Sequence, residues 1–392
     1  MKTYSREQFV KDVTAGIIVA IIALPLSIAL ALASGVGPEA GIFTAIVAGF
    51  VISALGGSSV QIAGPTAAFA TIVAGIVAKN GLDGLVIATI LAGIFLILMG
   101  LCHFGTLIRF IPYTITTGFT AGIAVTIVIG QLKDFFGVTY LDGVKPIETM
   151  EKLHAFVENC GTVNLSAVIV GVVSLAILII SPYIFKKIPG SLLAVVAGIL
   201  MVKFLPLKAS TIGDLYSISN ALPGFHLPAL SLAAVEDAIP NAFTIAVLAA
   251  IESLLSCVVA DGMINGKHRS DMELVAQGAG NIASALFGGI PATGAIARTA
   301  ANIKNGGRTP IAGMVHSITL VLVLVVLMPY AGMIPMPTIA AILFVVAYNM
   351  CQWRPFAHLI QTAPLCYWTH ILYFLCVNHL ITPFVIHSVY YK

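Results

Sequence analysis

The sequence predicts an all-α polytopic membrane protein, and three properties of the chain support that fold class. Of its 392 residues, 59% are hydrophobic and only 9% are charged, whereas a soluble domain is about 25% charged. Apolar stretches near or above roughly 18 residues recur from end to end, which indicates many membrane spans. Each span must satisfy its own backbone hydrogen bonds in lipid, so helices are expected. The 36 Gly and 19 Pro residues suit close helix packing and interrupted helices.

The predicted spans follow one another along the chain, and two of them are unusually short. They lie near 13–34, 38–55, 66–78, 84–103, 110–132, 165–185, 190–206, 240–262, 272–288, 295–304, 309–329 and 335–351, and a last apolar stretch covers 364–390. The spans at 66–78 and 295–304 are too short to cross a hydrocarbon core about 30 Å thick. We therefore expect these two to be half-helices that are buried in the protein.

The distribution of charge predicts the orientation in the membrane. Basic residues lie in short connections, for example at Arg109, Lys186 and Lys267, whereas the longer connections at 134–164 and 204–240 are acidic. Counting spans from a cytoplasmic N-terminus places the basic residues on one side, as the positive-inside rule requires. The chain is thus predicted to be a multi-pass protein of the inner (plasma) membrane, surrounded by lipid, with its N-terminus in the cytoplasm.

The net charge and the cysteines exclude several other classes of protein. A net charge of +3, small and scattered, gives no indication of nucleic acid as a partner. The six cysteines form no CxxC pair, so neither a disulfide framework nor a zinc site is predicted. The chain contains no HExxH or GxSxG motif and no pair of intramembrane aspartates, which argues against an intramembrane enzyme. No cofactor is expected beyond a coupling ion, H⁺ or Na⁺.

Two hydrophobic segments are interrupted in the same way, one in each half of the chain. The first, 56–68, reads GGSSVQIAGPTAA, and the second, 288–299, reads GGIPATGAIART. Paired interruptions of this kind are the best sequence indication of a transporter's binding site. A helix that starts at Pro65 loses no hydrogen bond, because the first N–H groups of a helix have no partner inside it. Its free N–H groups attract an anion. The alternative is a proline kink in an ordinary span. The N–H groups in question belong to Thr66, Ala67, Ala68 and Phe69.

The second interruption carries Arg298 in the first turn of its half-helix. An arginine at membrane depth costs roughly 2.5–3.5 kcal/mol on insertion scales and is rarely kept without a role. Its fork of donors suits a carboxylate or another oxyanion, so Arg298 is predicted to bind an anion. The alternative is a structural ion pair with Glu252.

Glu252 is predicted to be the one carboxylate deep inside an apolar run, 249–256. Burial favours the neutral form of a carboxylic acid, which suits proton coupling. A salt bridge that never titrates is the alternative. Ser253 and Ser256 are candidate oxygen ligands for a sodium ion instead.

Two further polar residues lie inside predicted spans. Ser27 follows Pro25, which frees a carbonyl and bends the first helix. Ser27 is a candidate substrate ligand, and a bond to its own backbone is the favoured alternative. His316 and the other histidines show no ligand spacing and are expected to be structural or interfacial.

Taken together, these residues resemble the SulP family, the sulfate-permease-like anion transporters, and in particular its bacterial branch. The resemblance extends from about residue 10 to about residue 360, in the order of the family. The matching elements are Leu24-Pro25 followed by the small-rich run 29–35, then Gly64-Pro65-Thr66, Ile251-Glu252-Ser253, and Pro291 through Arg298.

The resemblance implies a fold of fourteen segments in two inverted seven-segment repeats with two half-helices. It implies a core domain at approximately 10–105 and 240–330 that moves like an elevator against a gate domain at approximately 106–210 and 331–392. The substrate would lie between the half-helix N-termini, and the chain would form a homodimer, as family members often do. Glu252 would occupy the place of the acid in proton-coupled bacterial members. By match, the anion site would be lined by Ser27, Thr66, Ala67, Ala68, Phe69, Ala295, Ile296, Ala297 and Arg298.

Three positions depart from the family pattern. Leu26 stands where many members have Gln, and Ala297 stands where many have Ser, so two polar contacts are missing. After Thr362 the family continues with gate helices and a cytoplasmic STAS domain, whereas 363–392 is rich in His, Cys and aromatic residues. We therefore expect an incomplete gate, no STAS domain, and a frameshifted or truncated gene.

The sequence thus predicts secondary active transport of a small inorganic or carboxylate anion, such as sulfate, bicarbonate or a dicarboxylate, coupled to H⁺ or Na⁺. The alternatives are a nucleobase H⁺ symporter of the same fold, an anion channel, and a truncated transporter without activity. Arg298 and the lack of an acid in 295–304 argue against a nucleobase. Flux that saturates and follows a cation gradient would exclude a channel.

Overall fold

A computed structural model describes most of the chain and confirms the predicted all-α polytopic membrane fold. The described residues are 4–106, 113–140, 146, 149–184, 189–216, 221–228 and 231–350. Within these ranges the chain forms thirteen α-helices and one sheet of two short strands. Six of those helices are long and apolar enough to cross a membrane. The predicted apolar stretch at 364–390, and the other expectations for 363–392, lie outside the described residues.

The helices follow the predicted spans in order. Their bounds are α1 (Arg6–Ala33), α2 (Pro38–Leu55), α3 (Ala67–Leu101), α4 (Tyr113–Phe136), α5 (Thr149–Glu158), α6 (Leu165–Ile184), α7 (Gly190–Phe204), α8 (Ile212–Leu215), α9 (Leu232–Ile264), α10 (Ser270–Leu286), α11 (Ile296–Lys304), α12 (Pro310–Ala331) and α13 (Met336–Met350). Two of them, α5 and α8, lie in the polar connections, where hydropathy predicts no span.

The first half-helix ends close to its predicted boundary, at a break inside α3. The predicted spans at 66–78 and 84–103 correspond to the two helical segments of α3 on either side of Gly81. Gly81 has a φ of 69°, a left-handed conformation that glycine adopts without steric cost. The segment before this break, 67–80, is about 21 Å long at 1.5 Å per residue, which is still shorter than the hydrocarbon core.

Two helices start earlier than hydropathy predicts, because polar residues cap them. Helix α1 begins after Ser5, whose hydroxyl accepts the N–H of Gln8 at 3.1 Å. Helix α9 begins after Ser231, whose hydroxyl accepts the N–H of Ala234 at 3.2 Å. A side-chain oxygen at this position satisfies one of the N–H groups that a helix start leaves without an internal partner.

The described helices pack as two groups. Helices α1, α2, α3, α9, α10, α11 and α12 form the first group, and α4, α5, α6, α7 and α13 form the second. The groups meet where α1 contacts α7 and α13 and where α3 contacts α4. Apolar side chains from both groups, such as Ile28 and Ile339, belong to one buried cluster. Every residue predicted to bind the anion or the coupling ion lies in or next to a helix of the first group.

A two-stranded antiparallel sheet joins the two interrupted segments. Strand β1 (Ala63–Gly64) pairs with β2 (Thr293–Gly294), with Ala63 opposite Gly294 and Gly64 opposite Thr293. The strands lie just before α3 and α11, so the sheet brings the starts of both half-helices to one place. Hydropathy does not predict these strands, because two residues are too few to show an alternating pattern.

Candidate functional site

Hydrogen bonds beyond the sheet hold the start of α11 beside the start of α3. The N–H of Ala295 donates to the carbonyl of Ile62 at 2.9 Å. The N–H of Ile62 in turn donates to the hydroxyl of Thr299 at 3.0 Å, although 237 positions separate the two residues in the chain. The structure therefore brings the two predicted sets of site residues together.

The start of α3 offers fewer free N–H groups than the sequence predicts. The helix begins at Ala67, two residues after Pro65, with Thr66 in an extended conformation as its N-cap. The N–H of Phe69 donates to the carbonyl of Thr66 at 3.3 Å, so the prediction of a free N–H at Phe69 is wrong. The described residues provide no acceptor for the N–H groups of Ala67 and Ala68, whose side chains are buried.

The start of α11 presents a similar set of donors. Ala295 is the N-cap of α11. Its N–H already donates to the carbonyl of Ile62, so Ala295 does not offer a free N–H. The N–H of Thr299 donates to the carbonyl of Ala295 at 2.9 Å, as in an ordinary helix. The N–H groups of Ile296, Ala297 and Arg298 have no acceptor in the described part of the chain. The side chains of Ile296 and Ala297 are exposed.

The side chain of Arg298 is 1% exposed and is the largest fully buried side chain of the described residues. Its Nη2 donates to the hydroxyl of Ser27 at 3.2 Å and to the carbonyl of Pro65 at 3.4 Å. Its Nε and Nη1 are buried and have no partner among the described residues. The hydroxyl of Ser27 therefore accepts a hydrogen bond from Arg298, and the prediction that Ser27 bonds its own backbone finds no support. The arrangement places a positive charge between α1, β1 and α11.

Glu252 does not form the ion pair with Arg298 that was the structural alternative. No ion pair among the described residues includes Arg298. The carboxylate of Glu252 instead accepts the hydroxyl of Thr66 at 2.9 Å. A half-buried carboxylate on α9 is thus linked directly to the residue that caps α3.

The two serines near Glu252 are buried and bonded elsewhere. The hydroxyl of Ser253 donates to the carbonyl of Ala250 at 3.3 Å, within its own helix. The hydroxyl of Ser256 contacts that of Thr299 at 3.5 Å, which joins α9 to α11. Neither hydroxyl contacts the carboxylate of Glu252, so their role as ligands of a sodium ion stays a prediction.

A second carboxylate, Glu273 in the first turn of α10, is more deeply buried than Glu252. Glu273 accepts the N–H groups of Gly57 at 2.9 Å and Ser58 at 3.1 Å. It also accepts the side-chain amides of Gln61 and Gln277, each at 2.9 Å. Glu273 therefore holds the loop that leads into β1. The i, i+4 pair of Glu and Gln inside the predicted span 272–288 is the sequence signal that could have identified it.

Helix α10 holds the second interruption in the same manner. The amide oxygen of Asn281 accepts the N–H of Ala292 at 2.8 Å, and its amide nitrogen donates to the carbonyl of Ala292 at 2.9 Å. Residues 273, 277 and 281 are four apart and lie on one face of the helix. One face of α10 therefore positions the loops before both half-helices.

His316 in α12 is a further buried polar residue that the sequence interpretation treated as structural or interfacial. Its side chain is 0% exposed, and neither ring nitrogen has a partner in the described part of the chain. No spacing pattern identifies this residue, because its burial comes from the packing of α12 against α1 and α2.

Comparisons with known proteins identify the family of this chain. Residues 9–372 match the sulfate permease family. The protein YvdB of Bacillus subtilis (strain 168), whose assigned name is that of a sulfate transporter, is 44% identical over 366 residues, which are 92% of this chain and 68% of YvdB. The bicarbonate transporter BicA of Picosynechococcus sp. is 33% identical over 353 residues, which are 87% of this chain and 62% of BicA. The chain thus spans about two thirds of the length of these relatives.

Solved structures share the fold. The transmembrane domain of a cyanobacterial bicarbonate transporter BicA superposes with a TM-score of 0.84 at 28% identity, covering 96% of this chain and 97% of that one. SLC26A9 superposes with a TM-score of 0.85 at 19% identity, covering 96% of this chain and 63% of that one, which shows the fold alone. Since the family match covers residues 9–372 and YvdB is 44% identical, the chain belongs to the sulfate permease family.

Proposed function

We propose that this chain carries a small inorganic or carboxylate anion across the plasma membrane as a secondary active transporter. The anion binds between the starts of α3 and α11. The observation that carries the proposal is the fully buried guanidinium of Arg298, two of whose nitrogens have no partner in the described part of the chain. Relatives named as sulfate and bicarbonate transporters support an anion as the substrate class.

A buried positive charge without a carboxylate partner favours an anion nearby. Removing an ion from water costs several kcal/mol when no opposite charge compensates it. An oxyanion that reaches Arg298 offsets part of that cost and accepts its unused N–H groups. The starts of α3 and α11 each add a partial positive charge of about half a unit. The sign of the ligand therefore follows from the arginine and the two helix starts together.

Main-chain N–H groups supply most of the other donors at this site. The residues that offer them, such as Ala68 and Ala297, have apolar side chains. With Leu26 and Ala297 in place of the polar residues that many family members carry, few side-chain donors remain. Selection then depends on charge and size, so sulfate, bicarbonate and a dicarboxylate are all candidates.

Glu252 provides the coupling site in this proposal. Its carboxylate accepts the hydroxyl of Thr66, which caps the helix that receives the anion. A cation on Glu252, either H⁺ or Na⁺, cancels a negative charge close to the anion. Cation and anion therefore favour each other's binding, and the coupling is reciprocal by thermodynamic linkage.

The two groups of helices fit an elevator motion of a core domain against a gate domain. Ser27, Thr66, Glu252 and Arg298 all belong to the first group, so the site can move as one body. The contact between the groups includes a shared apolar cluster. None of the ion pairs among the described residues joins the two groups, so no ion pair there must break as they slide. The homodimer and the cytoplasmic N-terminus stay predictions of the sequence.

Uptake into proteoliposomes tests the proposal. The purified chain is supplied with radiolabelled sulfate, bicarbonate or succinate, with and without gradients of H⁺ and Na⁺. We expect saturable uptake of at least one of these anions that one of the two gradients drives.

Two outcomes would contradict the proposal. Non-saturating flux that ignores both cation gradients would indicate an anion channel. Uptake of radiolabelled uracil without uptake of any of the three anions would indicate a nucleobase symporter. Protein-free liposomes are the control for nonspecific leak.

A further inference from the structure

Arg298 has donors that no described residue accepts. Its Nη2 donates to the hydroxyl of Ser27 and to the carbonyl of Pro65. Its Nε and Nη1 are buried without a partner among the described residues. An unpaired N–H on a charged group is costly inside a protein, and buried donors are almost always paired with a protein group or a water molecule. These two nitrogens therefore require an acceptor.

His316 on α12 offers a buried acceptor that no described residue uses. Both of its ring nitrogens are buried without a partner. A neutral imidazole carries one donor and one acceptor, so it can take an N–H from the guanidinium. The next residue, Ser317, donates its hydroxyl to the carbonyl of Ala45 at 3.2 Å, which fixes this turn of α12 against α2.

The packing around Gly64 brings the guanidinium and the turn that carries His316 to the same part of the molecule. A Cβ atom on Gly64 would contact Nη1 of Arg298 and would lie 3.6 Å from the Cβ of Ala45. Ala45 is also the residue that anchors Ser317. The guanidinium and the turn that carries His316 thus border the same part of α2.

We propose that His316 is a positioning residue for Arg298. The neutral ring accepts a hydrogen bond from Nε or Nη1 through one buried water molecule and holds the guanidinium where it attracts the anion. A second positive charge beside an arginine that lacks a counter-ion is repelled, so the neutral ring is the form that fits. This inference deepens the proposed function and rests on Arg298 being the residue that attracts the anion.

The test compares two variants of the full chain in proteoliposomes. His316→Leu removes the acceptor, whereas His316→Gln keeps one at a similar reach. Uptake of radiolabelled sulfate and bicarbonate gives KM and Vmax for each variant. We expect KM to rise about tenfold in His316→Leu because a hydrogen bond to a charged group is lost. In His316→Gln, KM should stay within about threefold of that of the unchanged chain.

A matched control and the KM–Vmax split separate positioning from a structural role. Thr319→Val on the same helix removes only a hydroxyl that bonds the carbonyl of Val315, and its KM should not change. A packing defect would lower the amount of folded protein, and hence Vmax, without a selective rise in KM that Gln restores.

The outcomes distinguish this inference from the proposed function. Unchanged KM in His316→Leu, with uptake lost in Arg298→Ala, overturns the role of His316 and leaves the proposed function standing. Normal uptake in Arg298→Ala overturns the proposed function itself. If His316→Leu does not fold, cryo-EM of the unchanged protein in nanodiscs shows which groups the ring nitrogens of His316 bond. A ring nitrogen bonded to Arg298 through one water supports the proposal, and other partners for both ring nitrogens refute it.

Discussion

Gly64 is the position at which one methyl group tests the placement of Arg298. A Cβ atom at this residue would collide with Nη1 of Arg298 and would lie 3.5 Å from Cζ of the same guanidinium. The φ of Gly64 is outside the left-handed region, so alanine fits its backbone conformation. The guanidinium is 1% exposed and has no solvent to move into. We expect Gly64→Ala to displace the guanidinium while β1 and β2 stay paired.

The expected loss follows from the hydrogen bonds that hold Nη2. These bonds join it to Ser27 at 3.2 Å and to Pro65 at 3.4 Å, and displacement breaks or lengthens both. One hydrogen bond to a charged group contributes about 1.5–3 kcal/mol, and because both bonds are long we assign that amount to the pair. A loss of about 1.5–3 kcal/mol weakens anion binding roughly 10- to 150-fold.

The assay is the KM for uptake of sulfate and bicarbonate by proteoliposomes, with thermal unfolding in detergent as the test of folding. Gly75→Ala is the matched control, since Gly75 lies in the same segment of α3 and a Cβ there meets no atom within 4 Å. Alanine in a helix is favoured over glycine by up to about 1 kcal/mol, so this variant should keep its KM and its stability. A folded Gly64→Ala protein with an unchanged KM would refute the reasoning, because the guanidinium would not be needed where the structure places it.

Three further substitutions test the other parts of the site. Arg298→Ala should abolish anion uptake while the protein stays folded, and anion affinity equal to that of the unchanged chain would contradict its role. Glu252→Gln should leave anion exchange intact but remove its dependence on an H⁺ or Na⁺ gradient, which gradient-driven uptake compared with counterflow measures. Glu273→Gln places an amide against the N–H donors of the loop before β1 and should lower the free energy of unfolding by about 2–4 kcal/mol. An unchanged Tm in Glu273→Gln would show that this carboxylate does not hold the loop.

The order of the helices could be read from the sequence because hydropathy is a local property. The interruption before α3 was visible for the same reason, since Gly64 and Pro65 break an apolar run. Arg298 could be identified because the cost of a charge at membrane depth does not depend on the fold. The spans at 66–78 and 84–103 could also be separated because hydropathy is local, and they meet at Gly81, whose backbone is not helical.

Glu252 and Glu273 show where local patterns stop being informative. Both lie in predicted spans, but of the two only Glu273 is fully buried. Its donors at Gly57 and Ser58 lie 216 and 215 positions away in the chain. Burial of a side chain depends on such distant neighbours, so the sequence did not reveal which acid is structural.

The sequence by itself determined that the chain crosses the membrane repeatedly, that two helices are interrupted, and that one of them carries an arginine. Only the tertiary structure decided what meets that arginine, namely the hydroxyl of Ser27, 271 positions away in the chain, and the carbonyl of Pro65. The physical reason is the distance along the chain over which each effect acts. Hydropathy and helix breaking act over a few neighbouring residues, whereas hydrogen bonds and charges in a packed core join segments that no local pattern relates.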